Sequence, residues 1–310
     1  MPASIPAAEQ EVLRAEGRAA IRDAVVPASA KLLVFFRGEY IPNARTTLAA
    51  EAMPDGEAWY REQIRRYTTL DLSADEIHAI GLAEVAAIRA GMDTIIDGLG
   101  FQGASRETRF ADFLAFLRTD PRFYAKTPQE LLDRAAWISK RVDGQIGKLV
   151  GTLPRGRFTI VPVPPDIAPY WTAGRGGADT YWVNTYNLPS RALYSLPALT
   201  LHEGAPGHAF QMPLAEEHEG MPDFRRKAYI SAFGEGWALY AETLGREMGL
   251  FEDPNAYLGH LSDELLRAVR LVVDTGLHTK GWTREKTIQY MMDTQGYSEA
   301  ESRRYTERYM

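Results

Sequence analysis

The sequence predicts a mainly helical (α+β) protein with one small β-sheet. Helix-forming stretches fill most of the 310 residues. One β-rich, glycine- and proline-punctuated stretch interrupts them near residues 150–186. Helix-start signals recur, with Ser73 and Glu76, and Thr127 and Glu130, at the capping-box spacing.

In chain order, residues 6–36 begin with alanine-rich sequence and read as helix. Residues 56–68, 73–98, 107–118 and 127–149 follow as further helices, with Pro121 and Pro128 marking the break between the last two. These segments read as scaffold. Near residue 150 the texture changes. Residues 157–165 are β-rich, but Pro162 and Pro164 argue against a central strand. Residues 171–178 read as a glycine-rich loop. Residues 180–186 are the best strand candidate. Placed just before the helical stretch at 191–217, that strand is expected either as an exposed edge that aligns an extended peptide through Tyr181, Trp182 and Asn184, or as a plain sheet edge. Helical patterns return at 191–217, 225–249, 255–276 and 283–292, with Thr283 as N-cap. The last ten residues read as helix with no stop signal, so a further segment is expected to complete the fold. Residues 1–150 are read as a helical scaffold region and 151–310 as the catalytic region of one continuous domain.

Composition narrows the chemistry. The net charge is −6 with no basic stripe, which speaks against nucleic acid as a partner. The absence of cysteine removes disulfides, iron–sulfur clusters and thiolate metal sites. No apolar run has the length of a membrane span, and the first residues lack the pattern of a secretory signal, so the compartment stays open.

Leu201-His202-Glu203-Gly204-Ala205-Pro206-Gly207-His208 is the most informative stretch. Neutral imidazoles bind zinc, and a carboxylate beside the first ligand can take a proton from zinc-bound water. In the common His-Glu-x-x-His arrangement the histidines are four apart on one helix face. Here they are six apart. That spacing leaves them roughly 240° out of register on a straight helix. Pro206 and Gly207 lie inside the interval, so a break there is expected to turn His208 back.

Glu235 and Glu242 lie seven apart, two turns along one helix face. Glu235 would complete a two-histidine, one-carboxylate zinc site with an open position. Glu242 reads either as a hydrogen-bond partner of a ligand histidine or as a surface salt-bridge residue. Arg270, Asp274 and His278 repeat at four-residue intervals on a largely apolar helix. Arg270 or His278 could stabilise an oxyanion, with Asp274 supporting the site. Alternatively Arg270 and Asp274 form a buried pair and His278 caps the helix. Tyr305 and Tyr309 are read as oxyanion donors or as core. His78, His218 and His260 are expected at the surface.

These segments resemble the bacterial family catalogued as domain of unknown function 885, a zincin-like metallopeptidase group. The resemblance rests on residues 202–211, 233–242 and 270–278, with upstream support at 68–70 and 75–82. It covers nearly the whole chain. It implies a zincin-like helical fold with a small sheet beside the metal helix. It also implies that His202, His208 and Glu235 ligate Zn²⁺ and that Glu203 is the general base. The six-residue interval is normal in that family. Family members are usually longer at both ends, so either a complementing chain or oligomer supplies further parts of the cleft, or the cleft differs.

The expected function is a zinc-dependent hydrolase, foremost a peptidase acting on a peptide or small amide. Two other readings stay open: a metal-dependent enzyme acting on a small molecule in biosynthesis, and an incomplete relative serving as subunit or binding module. Two histidines and a carboxylate also suit iron, cobalt or manganese.

Overall fold

Hydrogen-bonding side chains at helix starts set much of the frame, as the sequence suggests. The computed structural model describes all residues, Met1–Met310, in two units, Met1–Leu48 and Ala49–Met310. In the first unit, α1 (Ala7–Ala20) runs through a wider turn at Ile21–Val25 into α2 (Val26–Phe35) and a second wider turn at Phe36–Tyr40. No side chain of these segments is buried. Leu32, Leu33, Val34 and Phe35 are among its exposed apolar residues.

The second unit opens with α3 (Gly56–Thr68), α4 (Ala74–Gly98), α5 (Arg109–Thr119) and α6 (Pro128–Asp143). Ser73 and Glu76 close a reciprocal capping box on α4. Thr127 caps α6, but Glu130 reaches back to the Lys126 amide, so only half of that box forms. Helix α6 stops six residues short of the expected 149, just before Gly144.

Three short strands follow: β1 (Thr159–Pro162), β2 (Gly174–Gly176) and β3 (Thr180–Val183). Their order is β1-β3-β2, with β1 parallel and β2 antiparallel to β3. The expected edge strand is therefore the central one. The glycine-rich segment expected as loop supplies the edge nearest the site, because residues without side chains let a backbone pass close to a helix. Pro162 sits in edge strand β1, where its missing N–H costs no ladder bond.

The remaining helices are α7 (Leu196–Glu203), α8 (His208–Glu216), α9 (Asp223–Lys227), α10 (Ser231–Thr243), α11 (Pro254–Thr279), α12 (Arg284–Gln295) and α13 (Glu299–Tyr309). Thr283 caps α12 as expected. One core cluster joins α6, the sheet, α7 and α8 around Ala135, Tyr181, Val183, Leu201 and Phe210. A second joins α4, α5, α11 and α12 around Ile96, Phe113, Leu265, Val269 and Met291. No helix is long and apolar enough to cross a membrane.

Helices α4 and α11 approach closely at Gly81. A Cβ there would lie 2.8 Å from both Leu271 Cβ and Val272 Cγ2, whereas one at Gly91 on the same helix would meet only Leu261 Cδ1, at 3.8 Å. Overpacking costs about 1–3 kcal/mol, while alanine is favoured over glycine in an open helix by about 0.5–1 kcal/mol. Gly81→Ala is therefore expected to lower the urea midpoint and Gly91→Ala to leave it unchanged or raise it.

Candidate metal centre

The interval between the two histidines is a break between helices. Helix α7 ends at Glu203 and α8 starts at His208. Gly207 donates its N–H to the Leu201 carbonyl at 2.9 Å, folding the connection back over the end of α7. A Cβ on Gly207 would sit 1.9 Å from the His202 carbonyl oxygen, so no other residue fits this fold-back. Trp237 Nε1 donates to the Pro206 carbonyl at 2.7 Å and ties the connection to α10. The two imidazoles then face each other edge to face, with centroids 5.0 Å apart.

Glu235 projects from α10 towards both rings. Its Oε2 lies 3.6 Å from His202 Nε2 and 3.7 Å from His208 Nε2. One ligand atom from each of the three residues falls within 4.8 Å of the others. Zinc bonds of about 2.0–2.2 Å in tetrahedral geometry set ligand atoms about 3.3 Å apart, so only small adjustments would close this set on a cation. The donor set of two imidazoles and one carboxylate fits a divalent metal.

His202 is oriented from behind. Its Nδ1 donates to Glu242 Oε1 at 2.7 Å, which turns Nε2 towards Glu235. Arg267 Nη2 also donates to that oxygen, at 3.1 Å. Its 3.4 Å approach to His202 Nδ1 is a contact only, since that nitrogen is already a donor. Glu242 is 1% exposed, which excludes the surface salt bridge: it is a buried partner of His202. Burial opposes its charge, but the hydrogen bond from His202, the nearby His260 ring and the charge of Arg267 hold its pKa below the ordinary value. Burial likewise opposes a charge on His202. The nearby Glu235 carboxylate and the hydrogen bond to Glu242 outweigh it and raise the ring pKa to about 9. The Glu235 carboxyl is held well below the usual range by the two histidine rings that face it and by the Tyr229 hydroxyl. The site is built to attract positive charge.

Glu203 occupies the last position of α7. It accepts a short hydrogen bond from the Gly176 N–H of β2. This needs a side-chain-free strand residue, because a Cβ on Gly176 would lie 2.2 Å from the Glu203 carbonyl oxygen. An open cleft of about 670 Å³ runs past His202, Glu203, His208 and Glu235, bounded on other sides by Trp171, Arg175 and Tyr229.

The other expected site residues lie elsewhere. Tyr181 is fully buried beneath α7, its hydroxyl 3.4 Å from Thr200 Oγ1. Asn184 is fully buried and donates to the carbonyls of Ala168 and Thr172 at 2.9 Å, fixing the segment before β2. Trp182 points to the opposite face of β3 from Tyr181 and covers Gly177. None of the three lines the cleft, because β3 is central and its neighbours take its backbone bonds.

Arg270, Asp274 and His278 also lie outside the cleft lining. Arg270 Nε donates to the Tyr309 hydroxyl at 2.8 Å. Asp274 accepts from the Tyr60 hydroxyl. His278 Nδ1 accepts from the Ala50 N–H at 3.1 Å, and its Nε2 donates to the Tyr309 carbonyl at 2.9 Å. No ion pair joins Arg270 to Asp274. These residues tie α11 to α3 and α13. Tyr305 packs against the second core cluster and stacks on Tyr297 with centroids 5.5 Å apart.

Of the histidines expected at the surface, His260 is buried and His78 is half-buried. His260 is 4% exposed, stacks on Phe251 at 4.9 Å and lies 3.5 Å from Glu242 Oε2. His78 bonds Thr275 at 2.8 Å and meets Trp282 edge-on. His218 is exposed, as expected. Tyr229 was not singled out in the sequence. Its hydroxyl donates to Glu235 Oε1 at 3.0 Å, and its ring fills the notch left by Gly234, where a Cβ would fall within 2.4 Å of it. Burial and the neighbouring Glu235 push its pKa up to about 12. Gly234 thus admits a side chain rather than a backbone, while Gly236 has nothing within 4 Å of its Cβ position.

The family model described as "Bacterial protein of unknown function (DUF885)" matches residues 1–310. The chain belongs to this family. Among solved structures, this DUF885 chain is similar to a protein of Colwellia psychrerythraea described as a putative lipoprotein, with TM-score 0.91 and 32% identity over 99% of this chain and 54% of that one. It is also similar to a protein of Shewanella oneidensis described as a putative lipoprotein of unknown function, with TM-score 0.63 and 18% identity over 97% of this chain and 57% of that one. The second likeness is one of fold. The DUF885 chain spans about half the length of these two proteins. No curated protein matches it.

Partners that orient a ligand histidine are worth 10–100-fold in metal affinity. Glu242→Gln is accordingly expected to weaken zinc binding about 10–100-fold, measured by competition with a chromophoric chelator. Unchanged affinity would remove Glu242 from the site.

Proposed function

We propose that this protein is a zincin-like, zinc-dependent hydrolase, with peptides as the first class of substrate. One observation carries the reading. His202, His208 and Glu235 converge from α7, α8 and α10 at the floor of an open cleft, with Glu203 held beside them by Gly176. Structural zinc sites are closed by four protein ligands, whereas catalytic ones have three and an open position. The exposed Glu235 side and the cleft above it support the second kind.

Bound zinc would supply a Lewis acid and lower the pKa of a water molecule. The chain's own groups supply the rest. Glu203 is the general base: its Oε2 is fixed by the Gly176 N–H, leaving the carboxylate to take a proton and pass it to the leaving amine. Glu242 and Arg267 hold His202 in orientation without entering the cleft. Tyr229 lines the cleft beside Glu235 and would donate to a developing oxyanion by turning its hydroxyl away from that carboxylate, whereas Arg270 and His278 lie outside the cleft lining.

The openness of the cleft and the neighbouring edge strand favour an extended chain over a small enclosed molecule. Removing a general base costs about 10²–10⁴-fold. Glu203→Gln should therefore lower kcat by at least about 10²-fold, with zinc content unchanged, in a peptide-hydrolysis assay. Hydrolysis that survives in a zinc-loaded Glu203→Gln protein would remove Glu203 as the base.

A further inference from the structure

We infer that Arg175 recognises a carboxylate on the substrate, so that the cleft favours peptides carrying an acidic group close to the cleaved bond. This rests on the peptide reading of the cleft and adds to it the chemistry of the substrate.

Arg175 is the middle residue of edge strand β2. Gly174 and Gly176 flank it, so it carries the only side chain of that strand. It lines the same cleft as His202, Glu203 and Glu235. Its guanidinium lies over the Trp171 ring, 5.8 Å from the centroid. Such stacking fixes the plane of the group and leaves its N–H edge free for a bidentate partner.

No carboxylate of the protein takes that edge. The two cleft carboxylates are committed elsewhere: Glu203 to the Gly176 N–H, and Glu235 to the histidines and Tyr229. Arg267, the other arginine near the metal ligands, is spent on buried Glu242. Arg175 is thus a cation without an anion, in a protein whose net charge is −6. A divalent cation at the site would be balanced by Glu203 and Glu235. The charge left for an incoming chain to meet would be that of Arg175.

Position sets the reach. Strand β2 advances about 3.3 Å per residue, so Arg175 stands one step from the Gly176 N–H that holds the general base. An extended substrate beside β2 would bring a carboxylate within range from about two residues of the cleaved bond. That carboxylate could be an acidic side chain or the chain terminus.

Calorimetry on the zinc-loaded Glu203→Gln protein separates these sources without depending on turnover. Three probes suffice: acetyl-tetraalanine with a free terminus, its terminal amide, and the amide with aspartate at the third position. A charge-assisted pair contributes about 10–100-fold in affinity. One or both carboxylate probes should bind about 10-fold or more tightly than the neutral amide, and Arg175→Gln in the same background should abolish the difference. Whichever carboxylate probe shows the preference identifies the source. Equal binding of all three probes, or a carboxylate preference that survives Arg175→Gln, would overturn the inference while leaving the peptide reading in place. No binding of any probe would overturn both.

Discussion

The site depends on the fold-back between α7 and α8. A continuous helix would point His202 and His208 in different directions. The chain instead stops at Glu203, bonds Gly207 to the Leu201 carbonyl and starts again at His208. Because the Gly207 Cα passes so close to the His202 carbonyl, the arrangement has no room for a side chain. Once this turn is made, the rest follows in space. Trp237 binds Pro206 and brings α10 alongside, and α10 carries Glu235 to the two rings. Glu203, left at the helix end, is free to reach the edge of β2.

Charge organises the region behind that turn. Glu242 is among the most deeply buried carboxylates and is stable there only because His202 and Arg267 donate to it and His260 lies close by. The same carboxylate pulls on its surroundings. Asp263, on α11, has its pKa pushed up to about 6 by burial and then by the Glu242 charge. His202, His208 and Glu235 in front and this polar cluster behind therefore share one electrostatic balance, in which His202 is the common member. A cation in the cleft would be held by two carboxylates, one in contact and one through the imidazole.

Helix content, the position of the small sheet and the convergence of His202, His208 and Glu235 were legible in the sequence because each rests on local signals. Ser73, Thr283 and Gly207 act within a few residues of themselves. What was not legible depends on long-range pairing. Strand β3 has the strongest β pattern, with Tyr181 and Val183 on its buried face, and it pairs along both edges as the central strand. The weakly patterned Gly174–Gly176 segment became the edge instead. Arg270, Asp274 and His278 do share the regular spacing that suggested a functional face. That face is read by Tyr60, Ala50 and Tyr309, which are far away in sequence. His260 looked like a surface residue because its surroundings are polar, yet those polar neighbours are its buried partners. Tyr229 gave one usable signal, the glycine at 234 that its ring requires.

The proposed chemistry requires that His202, His208 and Glu235 form a single metal site. Its most direct test is metal analysis of the purified protein after zinc loading, beside folded His202→Ala and Glu235→Ala variants, with X-ray absorption at the zinc edge. The account predicts about one zinc per chain in the unaltered protein, with nitrogen and oxygen ligands at about 2.0–2.2 Å and marked loss of zinc in both variants. A folded protein that takes up no zinc, or variants that retain it undiminished, would contradict the claim.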